Sequence, residues 1–317
     1  MADRIVTIGA SGKMYTQPLA AVQGEADFQP GEDNIVFVFD DGAYQRFYVL
    51  ASSYTTTSDH RLIFKSATGK PDLLTRGSGV RIIGSSNSAF KAFLPYCELY
   101  GMKFSTTGTS TANGIQFDNG GYNCLAKNCI SYDCHNSGFY AAFGCNGSKF
   151  INCLSFGNED GFINYATSTD IYFYNCVALN NTTTGFFTVT DARSTIKNSY
   201  SGGNGTGYDN SGTITLTTSF SSDGSESTSI KTIASCNFII STAGSENLEI
   251  QTGSSLLSYG TDLQSDAIYN LTDDILGTAR QSVPCVGAFE YVASSTVINN
   301  SFGSGFSGWG CKKRGWF

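Results

Sequence analysis

A single right-handed parallel β-helix is the fold this sequence predicts, and three observations predict it. One short motif returns about every 23 residues, a second motif keeps step with it, and the segments between them carry strand patterning rather than helical patterning. The first series is Gly114-Ile115, Gly138-Phe139, Gly161-Phe162, Gly185-Phe186 and Gly207-Tyr208. The second is Asn128-Cys129, Asn152-Cys153, Asn175-Cys176, Asn198-Ser199 and Thr218-Ser219. Each Cys or Ser is followed by an apolar residue (Ile130, Leu154, Val177, Tyr200, Phe220), and three residues before it stands another (Ala126, Phe150, Phe173, Ile196, Leu216).

A coil of about three short strands satisfies these constraints. Successive coils pair at about 4.8 Å, so equivalent residues lie directly above one another. The Ile, Phe and Tyr after each Gly then form a stack inside the tube. The repeat Gly is expected at a corner with unusual backbone angles, and the Asn before each Cys at a left-handed bend. Cys129, Cys153 and Cys176 form a column, read as small core filler. About 9–11 coils of roughly 23 residues are expected over the chain, as a solenoid grows by adding repeats.

Composition agrees with a turn-rich β-protein: charged residues are 14%, aromatics 13%, and Gly numbers 36 against 5 Pro. A net charge of -7 argues against a nucleic-acid partner, which needs clustered cations. No apolar run is long enough to span a membrane. The opening residues show no secretory signal, so synthesis and folding in a cytoplasm are expected. No cofactor and no metal site are expected. Cys124, Cys129 and Cys134, with His135 adjacent, lack the tight pairs usual for structural zinc.

In order along the chain, residues 1–34 form an opening strand and cap, 35–291 the β-helix, and 292–317 a Gly/aromatic tail. Residues 7–15 (TIGASGKMY) followed by a short helix at 17–22, a first coil at 35–44 (IVFVFDDGAY), and the closing runs 274–280 (DILGTAR) and 286–291 (VGAFEY) resemble the pectate-lyase-like right-handed β-helix superfamily. That superfamily holds enzymes, adhesins and phage tailspikes alike, so the resemblance implies fold before function.

Its catalytic sets are not matched. The hydrolase branch carries a Gly-His-Gly motif and an Arg-x-Lys motif, whereas the only histidines here are His60 and His135, neither flanked by two glycines. The lyase branch uses Asp-bound calcium with an Arg or Lys base, and no recurring acidic cluster stands beside such a residue. The strongest polar constellation is Asp133, His135, Glu159 and Asp160, expected near one corner of neighbouring coils, where a carboxylate pair acts as acid and base or grips a cation or sugar. In the tail, Trp309, Lys312, Lys313, Arg314, Trp316 and Phe317 read as a docking peptide, since aromatics and Arg anchor interfaces.

The function expected is a non-catalytic structural or receptor-binding protein of a bacteriophage particle, tailspike- or fibre-like. It is made in the host cytoplasm and located in the virion. Expected partners are other virion proteins, a host surface polysaccharide and further copies of the chain as a trimer. A depolymerising polysaccharide lyase or hydrolase, and a bacterial surface adhesin displayed outside the cell, are the alternatives.

Overall fold

A computed structural model describes residues 3–291 apart from 11, 26–33, 51–53, 73–75, 109–110, 166–169 and 226–229. The tail residues Trp309, Lys312, Lys313, Arg314, Trp316 and Phe317 lie outside the described residues.

Three parallel sheets wrap about seven turns of solenoid. The first sheet has nine strands, from Arg4–Ile8 to Thr213–Thr217. The second has eight, from Gly42–Gln45 to Phe220–Ser221, and the third seven, from Phe47–Val49 to Thr206–Asp209. One coil shows the pattern: Leu125–Lys127 lies in the first sheet, Ile130–Tyr132 in the second and Ser137–Ala141 in the third. Arg4–Ile8 already pairs with Ile35–Phe39, so the ladder begins before residue 35, and the helix Pro18–Gly24 sits between these two strands in the chain. No described helix is long and apolar enough to cross a membrane.

The predicted inner stack is present in register. Ile115 pairs with Phe139, Phe139 with Phe162, Phe162 with Phe186, and Phe186 with Tyr208. Ring centroids along it are 4.7, 4.8 and 5.1 Å apart, with planes within 11°. That spacing is the inter-coil distance itself, so offset stacking follows from strand pairing. A second inner row runs through Phe150 and Phe173, 5.3 Å apart.

The bends follow a left-handed residue where expected: φ is 56°, 50°, 54° and 50° at Asn128, Asn152, Asn175 and Asn198. The repeat glycines differ from expectation. Gly138 and Gly161 lie inside strands, and none of the five repeat glycines has a positive φ. They are kept small by crowding. A Cβ on Gly138 would lie 2.2 Å from Ser155 Oγ, and one on Gly161 would lie 2.3 Å from the Gly185 carbonyl oxygen of the next coil.

The Cys column is buried, and each thiol reaches back one coil. Cys129 Sγ donates to Leu99 O (3.7 Å), Cys153 Sγ to Ala126 O (3.3 Å) and Cys176 Sγ to Phe150 O (3.3 Å). Ser199 and Ser219 continue the column with hydroxyl donors to Phe173 O and Ile196 O. All nine described cysteines are thiols, and burial pushes the Cys129 and Cys153 thiols up from their ordinary value. Thiolate is the reactive form. Native protein treated with iodoacetamide is therefore expected to keep Cys129, Cys153 and Cys176 unmodified by peptide mass spectrometry, with complete alkylation in denaturant. Rapid native alkylation, or a Cys153–Cys176 disulfide, contradicts this packing.

Beyond Ser221 the chain leaves the solenoid, which accounts for the shortfall from 9–11 coils. In place of further coils the chain forms a short helix, Ile233–Cys236, and an antiparallel hairpin of Phe238–Ile240 with Asn247–Ile250. The remaining segment is a strap along the outside. The cause is the second sheet: its apolar row Ile130, Leu154, Val177 and Tyr200 packs against Leu248, Leu256, Ile275, Val286 and Phe289. The strap also clips onto the Asn bends. Asn152 Nδ2 donates to Asp273 O (2.9 Å), and Asn198 exchanges two 2.8 Å hydrogen bonds with Thr261. Ion pairs Lys127–Asp273 (2.7 Å) and Lys197–Asp266 (2.6 Å) flank it.

Candidate functional site

The corner marked in the sequence is only partly assembled. Asp133, His135 and Glu159 line one open depression of about 410 Å³ together with Asn158 and Thr182. His135 and Glu159 are exposed. Asp133 sits at a left-handed bend (φ 52°), and its carboxylate is engaged by Arg76, which also binds the buried carboxylate of Glu246 at 2.6 Å. The Arg76 guanidinium lies over the Tyr132 and Phe156 rings at 5.3 and 5.2 Å, which fixes it in place. Asp160 does not line the depression. Its side chain is buried in the third sheet, accepting from Thr184 N (3.0 Å), and burial raises its pKa. Cys124, Cys129, Cys134 and His135 do not converge, and among the described residues no group of three His, Cys, Asp or Glu could hold a metal ion.

A larger groove lies on the outer face of the third sheet. Strand alternation there puts Phe47, Phe90, Ile115 and Phe139 inside and the residue after each outside. The outward row is Tyr48, Lys91, Gln116 and Tyr140, one per coil, held in register by the ladder. The preceding corner adds Asn87, Ser88, Thr111, Asn113 and Asn136, and Leu50 and Phe93 complete a groove of about 610 Å³. The polar groups are organised by one another. Gln116 Oε1 accepts from Ser88 Oγ (2.6 Å) and Asn113 Nδ2 (3.1 Å), while Gln116 Nε2 donates to Asp118 (3.0 Å). Asn113 Oδ1 accepts from Ser137 N (3.0 Å). Lys91 pairs with Asp118 at 2.8 Å and lies 4.9 Å over the Phe93 ring. At one end Tyr140 stacks on Tyr165 (5.6 Å), which meets Phe143 edge-on at 6.0 Å, and both of these rings are exposed.

Such a surface suits a sugar. Planar rings cover the apolar faces of a pyranose, and amides hydrogen-bond its hydroxyls in either sense. Among the described residues that line the groove none is a carboxylate, and the nearest, Asp118, is taken up by Lys91 and Gln116.

Two other cavities differ in kind. On the first sheet, a cleft of about 430 Å³ is lined by Arg61, Tyr96, Glu98, Tyr100, Lys149 and Tyr269, among others. Arg61 and the Tyr100 hydroxyl hold Glu98 at 2.8 and 2.7 Å, and burial lowers the pKa of Lys149. Under the strap, a void of about 20 Å³ adjoins Asp72, Arg76, Lys103 and Glu246, room for about one water. Burial pushes Lys103 down to about 8 there.

No family model matches the chain, and no curated protein does. Solved structures do. Pectate lyase Pel9A is similar over 92% of this chain and 96% of its own, at 15% identity and a TM-score of 0.43. A pectin methylesterase from Aspergillus niger is similar over 77% and 91%, at 12% identity and 0.40. A pectin methylesterase in complex with hexasaccharide VII is similar over 78% and 98%, at 9% and 0.37. These are right-handed parallel β-helix proteins. The likeness is one of fold.

Only part of the groove was visible in the sequence. Gln116 and Tyr140 directly follow the repeat residues Ile115 and Phe139, so their outward placement was available from the period. Tyr48 and Lys91 come from coils before residue 92, where connections of unequal length blur the repeat.

Proposed function

We propose that this chain is a non-catalytic glycan-binding β-helix that presents the outer groove of its third sheet to a polysaccharide on a host cell surface. The observation that carries the reading is the ordered row Tyr48, Lys91, Gln116 and Tyr140 with the amide corner Asn87, Asn113 and Asn136 beside it. Display on a bacteriophage particle, as a trimeric spike or fibre, is the setting proposed for it. Its support is the nine buried thiols among the described residues, a state kept by proteins folded in a reducing cytoplasm. A polysaccharide-cleaving reading rests on the first-sheet cleft, where Glu98 and Lys149 stand among tyrosines.

One experiment separates these readings. The protein is titrated against a panel of capsular, lipopolysaccharide and plant polysaccharides, and products are assayed as reducing ends and unsaturated sugars. Saturable binding without product is expected. Tyr140→Ala is expected to weaken binding about tenfold, equivalent to about 1.4 kcal/mol, with the fold unchanged because the ring faces outward. Product formation lost on Glu98→Gln or Lys149→Met would instead establish the cleaving reading.

A further inference from the structure

We infer that the groove takes an uncharged polysaccharide chain laid along the solenoid axis, and that the chain runs on past Tyr140 onto Tyr165 and Phe143. This rests on the glycan-binding reading and adds the ligand's charge, direction and length.

Charge is decided by the lining. Lys91 is the one charged side chain among the described residues that line the groove, and Asp118 at 2.8 Å cancels it. The Gln116 amide is turned to the same carboxylate, and the cation beside the far end of the row, Arg46, is held over the Tyr48 ring at 5.6 Å and donates to Ser86 Oγ (3.1 Å). A chain carrying a net charge of -7 disfavours an anionic polymer further. What remains are amides, hydroxyls and aromatic faces, which bind neutral hydroxyl-rich rings.

Direction follows from the ladder. Tyr48, Lys91, Gln116 and Tyr140 belong to four successive coils, so the row spans three steps of about 4.8 Å, about 14 Å in all. A pyranose unit advances by a similar step, so the groove itself accepts about three rings. Tyr165 lies beyond Tyr140, stacked on it at 5.6 Å, and Phe143 closes the platform at 6.0 Å. Phe143 is 51% and Tyr165 41% exposed, so two accessible aromatic rings stand where the groove ends. A fourth and a fifth ring have a place to stack there.

The probes are oligosaccharides of two to eight units from cellulose, mannan, dextran and chitin, with oligogalacturonate and oligoalginate as anionic counterparts, measured by calorimetric titration on the full chain. In at least one neutral series, Kd is expected to fall tenfold or more between two and five units and then level off, with the anionic series at least tenfold weaker. Phe143→Ala and Tyr165→Ala are expected to lose fivefold or more for five units and to leave the trisaccharide unchanged. Stronger binding of an anionic series, affinity independent of length, or unaltered binding by both variants overturns the inference while leaving glycan binding intact. Absence of binding to every series sinks the glycan reading and the inference together.

Discussion

Phe162→Ala is expected to lower the unfolding free energy by about 3–5 kcal/mol, the usual cost of emptying a buried aromatic site. Phe162 is fully buried at the middle of the inner stack. It stacks on Phe139 at 4.7 Å and on Phe186 at 4.8 Å, and meets Phe173 edge-on at 5.6 Å. Coils contact only their neighbours, so a void here weakens the interface on both sides at once. Relaxation is restricted because Gly161 and Gly185 already hold adjacent coils in close approach. Urea unfolding followed by circular dichroism measures the effect. A loss below about 1 kcal/mol would mean that the stack is not a principal source of stability.

The second large effect is expected at Arg280. Its guanidinium is buried in the strap and donates to Gly287 O (2.9 Å), Asn152 Oδ1 (3.1 Å), Cys285 O (3.2 Å) and Phe289 O (3.3 Å), and it pairs with Glu290 at 3.2 Å. Burial lowers the pKa of Arg280 and raises that of Glu290, and their mutual attraction opposes both shifts. Arg280→Met leaves Glu290 buried without its cation and three carbonyls without their donor. A loss of about 3–5 kcal/mol is expected, read as release of the strap in limited proteolysis before the solenoid itself unfolds. The double variant Arg280→Met with Glu290→Leu is expected to recover part of it. An unchanged cleavage pattern in the single variant contradicts the assignment.

These two sites mark what the sequence showed and what it hid. The stack was legible because one large inward residue per coil, placed after a constant Gly, gives a period that survives small changes in loop length. The Asn bends were legible because Asn is one of the few residues that tolerates left-handed φ. The strap was hidden by an inversion in the second sheet. In Ile130–Tyr132 and Leu154–Phe156 the polar middle residues Ser131 and Ser155 face the interior, and the apolar residues on either side face out. Ser155 is held inside by Gly161 O (2.9 Å) and by Asn158 Nδ2 (2.9 Å). Three residues are too few for alternation to reveal which side is the core. The interior amide ladder Asn158–Asn181–Asn204, bonded at 3.2 and 3.0 Å, kept the same 23-residue spacing. It was lost among the many Asn, Ser and Thr residues of the corners.

The same limits applied to the site. Asp133, His135 and Glu159 meet as the coil spacing required, but the engagement of Asp133 by Arg76 depends on a connection outside the repeat, and Asp160 is turned into the sheet. That corner is rich in residue types that carry chemistry, and so stands out in the sequence. The groove is made of Tyr, Gln and Asn, which become notable only once their stacking is known.

Hydrogen exchange measured with and without bound glycan locates the binding surface. Added protection is expected to be confined to peptides covering residues 87–93, 111–118 and 136–143, the walls and floor of the third-sheet groove. Protection that appears instead around residues 58–61, 96–100, 123–125 and 268–269 would place the ligand in the first-sheet cleft and contradict binding in the groove.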